Sequence, residues 1–164
     1  MKLFPAIAIV AAMALAGCAS EETPAEAPAP APTTSTATGP APNTVAYFNQ
    51  VVGDRVLFAT DQHRLDNQAR ATLDAQAQWL QTNPGTSVTV EGHADERGTR
   101  QYNLALGARR ANSVRRYLVQ RGVEANRLRA VTFGKERPES TCSNEGCWSQ
   151  NRRGVSVVAG APTS

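Results

Sequence analysis

The sequence predicts a layered α/β domain of the α+β type, in which a mixed four-stranded sheet carries helices on one face and follows a disordered tether. Three observations predict it. From residue 55 onward the apolar residues change period in the order strand, helix, strand, helix, strand, loop, strand. The chain has 164 residues, enough for one core and too few for two domains with a linker. Residues 18–44 carry no large apolar side chain, so packing is expected only from residue 45 to 164.

The amino-terminal part reads as export and attachment. Residues 1–17 open with Lys2 and continue through an uncharged apolar run to Leu15, the n-region and h-region of a signal peptide. That run falls short of the roughly 20 residues a helix needs to cross a bilayer, so its removal is expected. Leu15-Ala16-Gly17-Cys18 resembles a bacterial lipobox, which implies cleavage before Cys18 and acylation of its thiol. Each chain would stabilise insertion by about 0.8 kcal/mol per buried CH₂. Ala19 and Ser20 follow, without the aspartate that in this class retains a lipoprotein at the inner membrane, so the periplasmic face of the outer membrane is the expected destination. Of the 26 residues from Ala19 to Thr44, 19 are Ala, Pro or Thr, a composition that cannot offset chain entropy and reads as a spacer.

Within the expected domain, residues 55–59 form an apolar run between Gly53-Asp54 and a polar stretch, the pattern of a buried strand. Leu65, Ala69, Leu73, Ala77 and Leu80 recur at helical spacing, with Asp66 near the start and Asn83-Pro84-Gly85 as the stop. Val88, Val90, Gly92 and Ala94 alternate with Thr89, Glu91, His93 and Asp95, a strand with one apolar and one polar face. A turn at residues 96–99 leads to a helix marked by Leu104, Ala108, Ala111, Val114 and Leu118, closing at Arg121-Gly122. Residues 128–133 alternate as a third strand before Gly134, residues 135–150 read as a loop, and Val155, Val157 and Val158 mark the last strand. In an oxidising compartment Cys142 and Cys147 favour a small-loop disulfide over a zinc site, because no second cysteine pair or nearby histidine completes a metal set.

Charge narrows the function. From Val45 onward 16 basic residues face 11 acidic ones, and 15 of the basic residues are arginines, whose planar fork suits carboxylate and phosphate. Export argues against nucleic acid as a partner and for an acidic wall polymer or protein. Arg110 has Leu106, Gly107, Ser113 and Val114 one turn away and so lacks a helical ion-pair partner; Arg109 is in the same position, so this alone does not single out Arg110. Gly107 is expected to leave a bare patch beside Asn103 and Arg110 through which a ligand reaches the guanidinium. Asp95 lies where the second strand gives way to a loop, the place where open α/β sheets gather ligands. An anion and a cation there suit a zwitterion, against the plainer readings of a turn cap and a solvated helix arginine. An enzyme reading would place Glu91, His93 and Asp95 on one strand face as a metal-bound hydrolytic centre. The domain has only His63 and His93 and none of the usual hydrolase motifs, so non-catalytic binding without a cofactor is preferred.

The run Thr-Val-Glu-Gly-His-Ala-Asp-Glu-Arg-Gly-Thr at residues 89–99, with Tyr102-Asn103, Arg109-Arg110-Ala111-Asn112, Phe133-Gly134-Lys135 and Asn151-Arg152-Arg153, resembles the OmpA-like peptidoglycan-binding domain family in order and spacing over about residues 53–158. The resemblance implies the sandwich fold of that family and binding of peptidoglycan stem peptides that contain meso-diaminopimelate. It implies that Asp95 takes the ammonium group and Arg110 a carboxylate, with further contacts from Asn103 and Arg152 and a wall formed near Ala94 and by the Thr60-Asp61 loop. Many relatives carry an aromatic immediately before the aspartate matching Asp61; here Thr60 stands there, with Phe58 two residues earlier. The Cys142 to Cys147 loop is a second departure, expected to alter the rim without touching the charge pair. The lipid-anchored members also imply Tol proteins as partners, TolB at a surface overlapping the wall site and TolA as a second candidate, with roles in envelope integrity and cell division. A lipoprotein that binds only proteins is the alternative.

Overall fold

The computed structural model describes residues 39–162. The expected signal peptide, the expected acylation site at Cys18 and the stretch of tether up to residue 38 lie outside the described residues. The described chain is already packed just before residue 45. Thr44 is buried, and its hydroxyl accepts from the Tyr47 N–H to cap α1 (Val45–Tyr47). A π-helical turn, Phe48–Gly53, continues from α1 and buries Phe48 against the Trp79 ring at 4.9 Å between centroids. The Trp79 indole N–H donates to the Pro42 carbonyl at 2.7 Å, which fastens the entering chain to the next helix.

The regular elements follow as β1 (Arg55–Leu57), α2 (Asn67–Thr82), β2 (Ser87–His93), α3 (Arg100–Gln120), β3 (Leu128–Gly134), α4 (Glu145–Asn151) and β4 (Arg153–Ala159). The sheet order is β1-β4-β2-β3, with β2 and β3 parallel and β4 antiparallel to both β1 and β2, so the sheet is mixed and four-stranded. Asp66 caps α2 through the Ala69 N–H at 2.7 Å, and Thr99 caps α3 through the Tyr102 N–H at 3.2 Å. Both helices thus begin where the polar residues before their apolar stripes predict. Leu73, Ala77 and Leu80 of α2 and Ala111, Val114 and Leu118 of α3 meet Val56, Val88, Val90 and Leu128 in one core on one face of the sheet.

Two glycines bring α3 down onto β2. A Cβ on Gly92 would collide with the Gly107 carbonyl, and a Cβ on Gly107 would collide with the Thr132 hydroxyl. Gly107 therefore serves backbone contact between helix and sheet, and the expected bare patch beside Arg110 is not where it points. The supposed loop at residues 135–150 also needs correcting, since it contains α4. Asn144 caps α4 by accepting from the Gly146 and Cys147 N–H groups, and Cys142 and Cys147 are disulfide-bonded across that cap with Cα atoms 5.6 Å apart. Seven residues carry too little apolar periodicity to announce a helix. Asn151 accepts from the Glu139 and Ser140 N–H groups at 2.7 and 3.0 Å and donates to the Ser140 carbonyl at 2.7 Å, which ties the loop back to the end of α4.

Candidate functional site

The ends of β2 and α3 and the loop after β1 enclose a cleft of about 500 Å³ lined by Thr60, Asp61, Asp95, Arg97, Tyr102, Asn103, Leu106 and Arg110. Asp95 and Arg110, read from the sequence as a charge pair far apart along the chain, both face this space. Among the described residues they are not paired with each other, because each is held by other groups.

Arg110 is fully buried, and its guanidinium is oriented by the backbone. Nε donates to the Gln62 carbonyl at 2.8 Å, one terminal nitrogen to the His93 carbonyl at 2.7 Å and the other to the Ala59 carbonyl at 3.2 Å. The Phe58 ring lies 5.2 Å from its central carbon. Burial pulls the Arg110 pKa down to about 10, which leaves it charged at neutral pH, and the nearby Asp95 charge works against that fall. Each terminal nitrogen has a second N–H beyond the carbonyl it serves, so a cation with unspent donors stands at the cleft wall.

Asp95 is nearly buried and accepts from three donors: the Arg97 N–H at 3.2 Å, the Arg97 guanidinium at 2.6 Å and the Arg152 guanidinium at 3.3 Å. Burial pushes its carboxyl up, but the hydrogen bonds and charge of Arg97, aided by Arg152, outweigh this and hold it below the usual carboxylate range. The carboxylate is thus ionised and fixed in place at the edge of a cleft that also presents Arg110.

The other expected residues divide into liners and supports. Asn103 lines the cleft and is buried, its amide donating to the Arg97 carbonyl at 2.7 Å. Asp61 lines it with a left-handed backbone at φ 60°, a conformation that Asp tolerates better than most residues, and accepts from the Tyr102 hydroxyl. Tyr102 supplies the aromatic wall that Thr60 does not, whereas Phe58 is buried beneath Arg110 rather than exposed to the cleft. Arg152 stands behind Asp95 instead of lining the cleft: it donates to the Phe58 carbonyl at 3.0 Å and pairs with both Asp95 and Glu145. Ala94 is buried and its N–H donates to the Gly134 carbonyl at 2.7 Å, so that group is spent within the fold.

Arg97 and Tyr102 are lining residues that sequence reasoning missed as functional. Their signal was present in the stretch after Asp95, where a basic and an aromatic residue flank the start of a helix. The disulfide loop and α4 act on the residues around the charge pair: the Trp148 ring of α4 packs 4.2 Å under the Arg97 guanidinium and Glu145 pairs with Arg152, and both arginines in turn hold Asp95.

The hydrolytic arrangement of Glu91, His93 and Asp95 does not form. β2 ends at His93 after a register irregularity at Gly92, and Asp95 turns into the cleft. His93 is buried beside Glu91 at 3.4 Å and stacks on Phe133 at 5.5 Å. Its pKa is lowered to about 4 by burial and by the Arg153 and Arg137 charges. No three His, Cys, Asp or Glu side chains gather as a metal set among the described residues.

The sequence profile of the OmpA family matches residues 57–152. A protein named peptidoglycan-associated lipoprotein from Rhizobium meliloti (strain 1021) is 52% identical over 155 residues, 94% of this chain and 87% of that protein. A protein of the same name from Brucella melitensis biotype 1 is 48% identical over 156 residues, 95% of this chain and 92% of that one. The crystal structure of the peptidoglycan-associated lipoprotein from Burkholderia pseudomallei superposes with a TM-score of 0.65 at 38% identity, covering 68% of this chain and 96% of that one.

Proposed function

The chain belongs to the OmpA family and, within it, to the peptidoglycan-associated lipoproteins, and from that membership we propose that it is a non-catalytic outer-membrane lipoprotein that grips peptidoglycan by the meso-diaminopimelate of its peptide stems. The observation that carries the reading is the shared cleft of Asp95 and Arg110. Diaminopimelate bears an ammonium and a carboxylate at the far end of its side chain. An ionised carboxylate and a charged guanidinium that face one space without neutralising each other offer one partner to each group. The contacts are charge-assisted and largely desolvated, so they contribute more than surface pairs do.

Asn103, Asp61 and Tyr102 would orient the ligand, and Arg152 would act by holding Asp95. The acylated Cys18 would fix the other end of the molecule in the membrane, making the protein a non-covalent link between membrane and wall. Membership also supports a place in the Tol system with TolB and TolA as partners, and through it a role in cell division.

Sedimentation with purified wall sacculi in the presence of free ligand tests the reading. Free meso-diaminopimelate is expected to release the protein, while lysine, which lacks the second carboxylate, is expected to leave it bound. Equal release by both, or no sedimentation at all, would refute the assignment.

A further inference from the structure

Asp95 is held by two arginines, and both arginines are in turn held by α4. Arg97, whose side chain is 40% exposed, makes the shortest contact to the Asp95 carboxylate, at 2.6 Å. A long, solvated side chain gives up rotamer freedom to hold such a pair, so an exposed pair contributes little by itself. Something must hold Arg97 in place, and the Trp148 ring lies 4.2 Å from its central carbon. Arg152, the second partner, pairs with Glu145. Glu145 and Trp148 are three residues apart in the seven-residue α4, hence on one side of it. The disulfide between Cys142 and Cys147 spans the Asn144 cap and fixes the first turn of this short helix to the preceding loop.

We propose that α4 is a stapled back plate for the ligand-binding carboxylate, and that its Trp148 and Glu145 are positioning residues which, through Arg97 and Arg152, hold Asp95 aimed into the cleft. Neither side chain lines the cleft. The inference deepens the wall-binding reading and rests on it for its effect on capture, but the placement of Asp95 is open to measurement without any ligand.

With an aliphatic side chain at position 148, Arg97 loses the face it lies on and spends part of its time in solvent. Asp95 then loses its nearest donor and its orientation. The carboxyl becomes easier to protonate, so capture that needs the carboxylate fails at a higher pH. An aromatic replacement keeps the face and the grip.

The test uses the full chain in detergent, with two readouts on the same variants: sedimentation with sacculi across pH, and NMR titration of the Asp95 carboxyl without sacculi. Trp148→Leu is expected to weaken capture at neutral pH at least fivefold, to move the acid limb of capture upward and to raise the Asp95 titration midpoint. Trp148→Phe is expected to stay within twofold of the parent with an unshifted limb. Glu145→Gln loosens Arg152 but also removes a like charge from beside Asp95, so it is expected to weaken capture at neutral pH without raising the Asp95 midpoint. Trp148→Met, which also lacks the aromatic face, is expected to raise the midpoint and decides the matter if Trp148→Leu does not fold. Cys142→Ser/Cys147→Ser is expected to weaken capture in the same direction by a smaller factor.

If Trp148→Leu or, failing it, Trp148→Met leaves the Asp95 midpoint and the acid limb where the parent has them, while Asp95→Asn abolishes capture, the back-plate role is wrong and the wall-binding reading survives. If the parent itself does not sediment, the wall-binding reading fails, and the titration of the same variants still decides whether α4 places Asp95.

Discussion

Arg110 is both part of the grip and part of the frame, and this determines how a substitution there should be read. Its three backbone acceptors lie on the loop after β1 and at the end of β2, so Arg110→Ala leaves three carbonyls without donors as well as removing the cation. Losing a buried charged donor typically costs about 3–5 kcal/mol, so the variant is expected to lose stability by roughly 3 kcal/mol in a urea melt. Its loss of wall capture would then mix two causes. Asp95→Asn is the cleaner substitution: it keeps the shape and removes the charge, and should reduce capture by about tenfold or more in sedimentation with a much smaller effect on melting. His93 titrates for a different reason. Its folded pKa lies near 4, below the ordinary value of 6.5, so the unfolded chain takes up its proton first as the medium is acidified. Above about pH 6.5 both states are neutral and the group contributes nothing to the pH dependence; between about 6.5 and 4 it lowers stability progressively, by about 1–3 kcal/mol at the acid end. Thermal melts across this range should show a steeper fall for the parent than for His93→Gln, and parallel curves would show that His93 is not buried as a neutral ring.

At the scale of elements, the approach of α3 to β2 decides where Arg110 and Asp95 meet. Gly92 and Gly107 face each other, and a methyl on Gly92 meets backbone rather than a side chain that can turn away. Gly92→Ala should therefore destabilise by about 1–3 kcal/mol or more and loosen wall capture together with it, because relieving the clash lifts the helix that carries Arg110. Gly92→Val, with two further methyl groups to place, should be worse. A melt of Gly92→Ala that matches the parent would show that the helix rides higher on the sheet than the two facing glycines imply. The elements built on long apolar periods were legible in the sequence: α2, α3 and the sheet strands stand where Leu73, Leu80, Ala111, Leu118 and the alternating valines place them. Short elements were not. α4 has seven residues and the π-helical turn six, and each is fixed by a cap, a disulfide or one buried ring rather than by a repeating stripe. The site was legible to the same degree. Asp95 stood out by its place at a strand end and Arg110 by the family motif it belongs to, but the burial of Arg110, the withdrawal of Arg152 behind Asp95 and the facing of Gly107 onto the sheet depend on contacts between elements distant in sequence, which no local spacing encodes.

For the whole molecule, the proposal of two attachments separates into two independent losses. Ala41 stands 23 residues after Cys18, and near it the chain is packed against the domain through Pro42 and Thr44. At no more than about 3.3–3.6 Å per residue that stretch spans at most about 80 Å. In the proposed arrangement the domain would stay within that distance of a membrane holding Cys18, and a raised local concentration near the wall would let a modest cleft affinity suffice. This separates the variants. Replacing residues 1–18 with a secretory signal that has no lipobox should move the protein from the membrane fraction to the soluble periplasm while leaving its sedimentation with purified sacculi unchanged, because the cleft is intact. Asp95→Asn should stay in the membrane fraction and fail to sediment with detergent-washed sacculi. In cells each variant alone should leave the outer membrane held less firmly to the wall, and the double variant should be no worse than either, since a link cut at one end is already cut. Vesicle shedding in the three strains measures this. If the double variant shed clearly more than the worse single variant, the membrane end and the wall end would be acting through separate routes, and a single tether joining them would not describe the molecule.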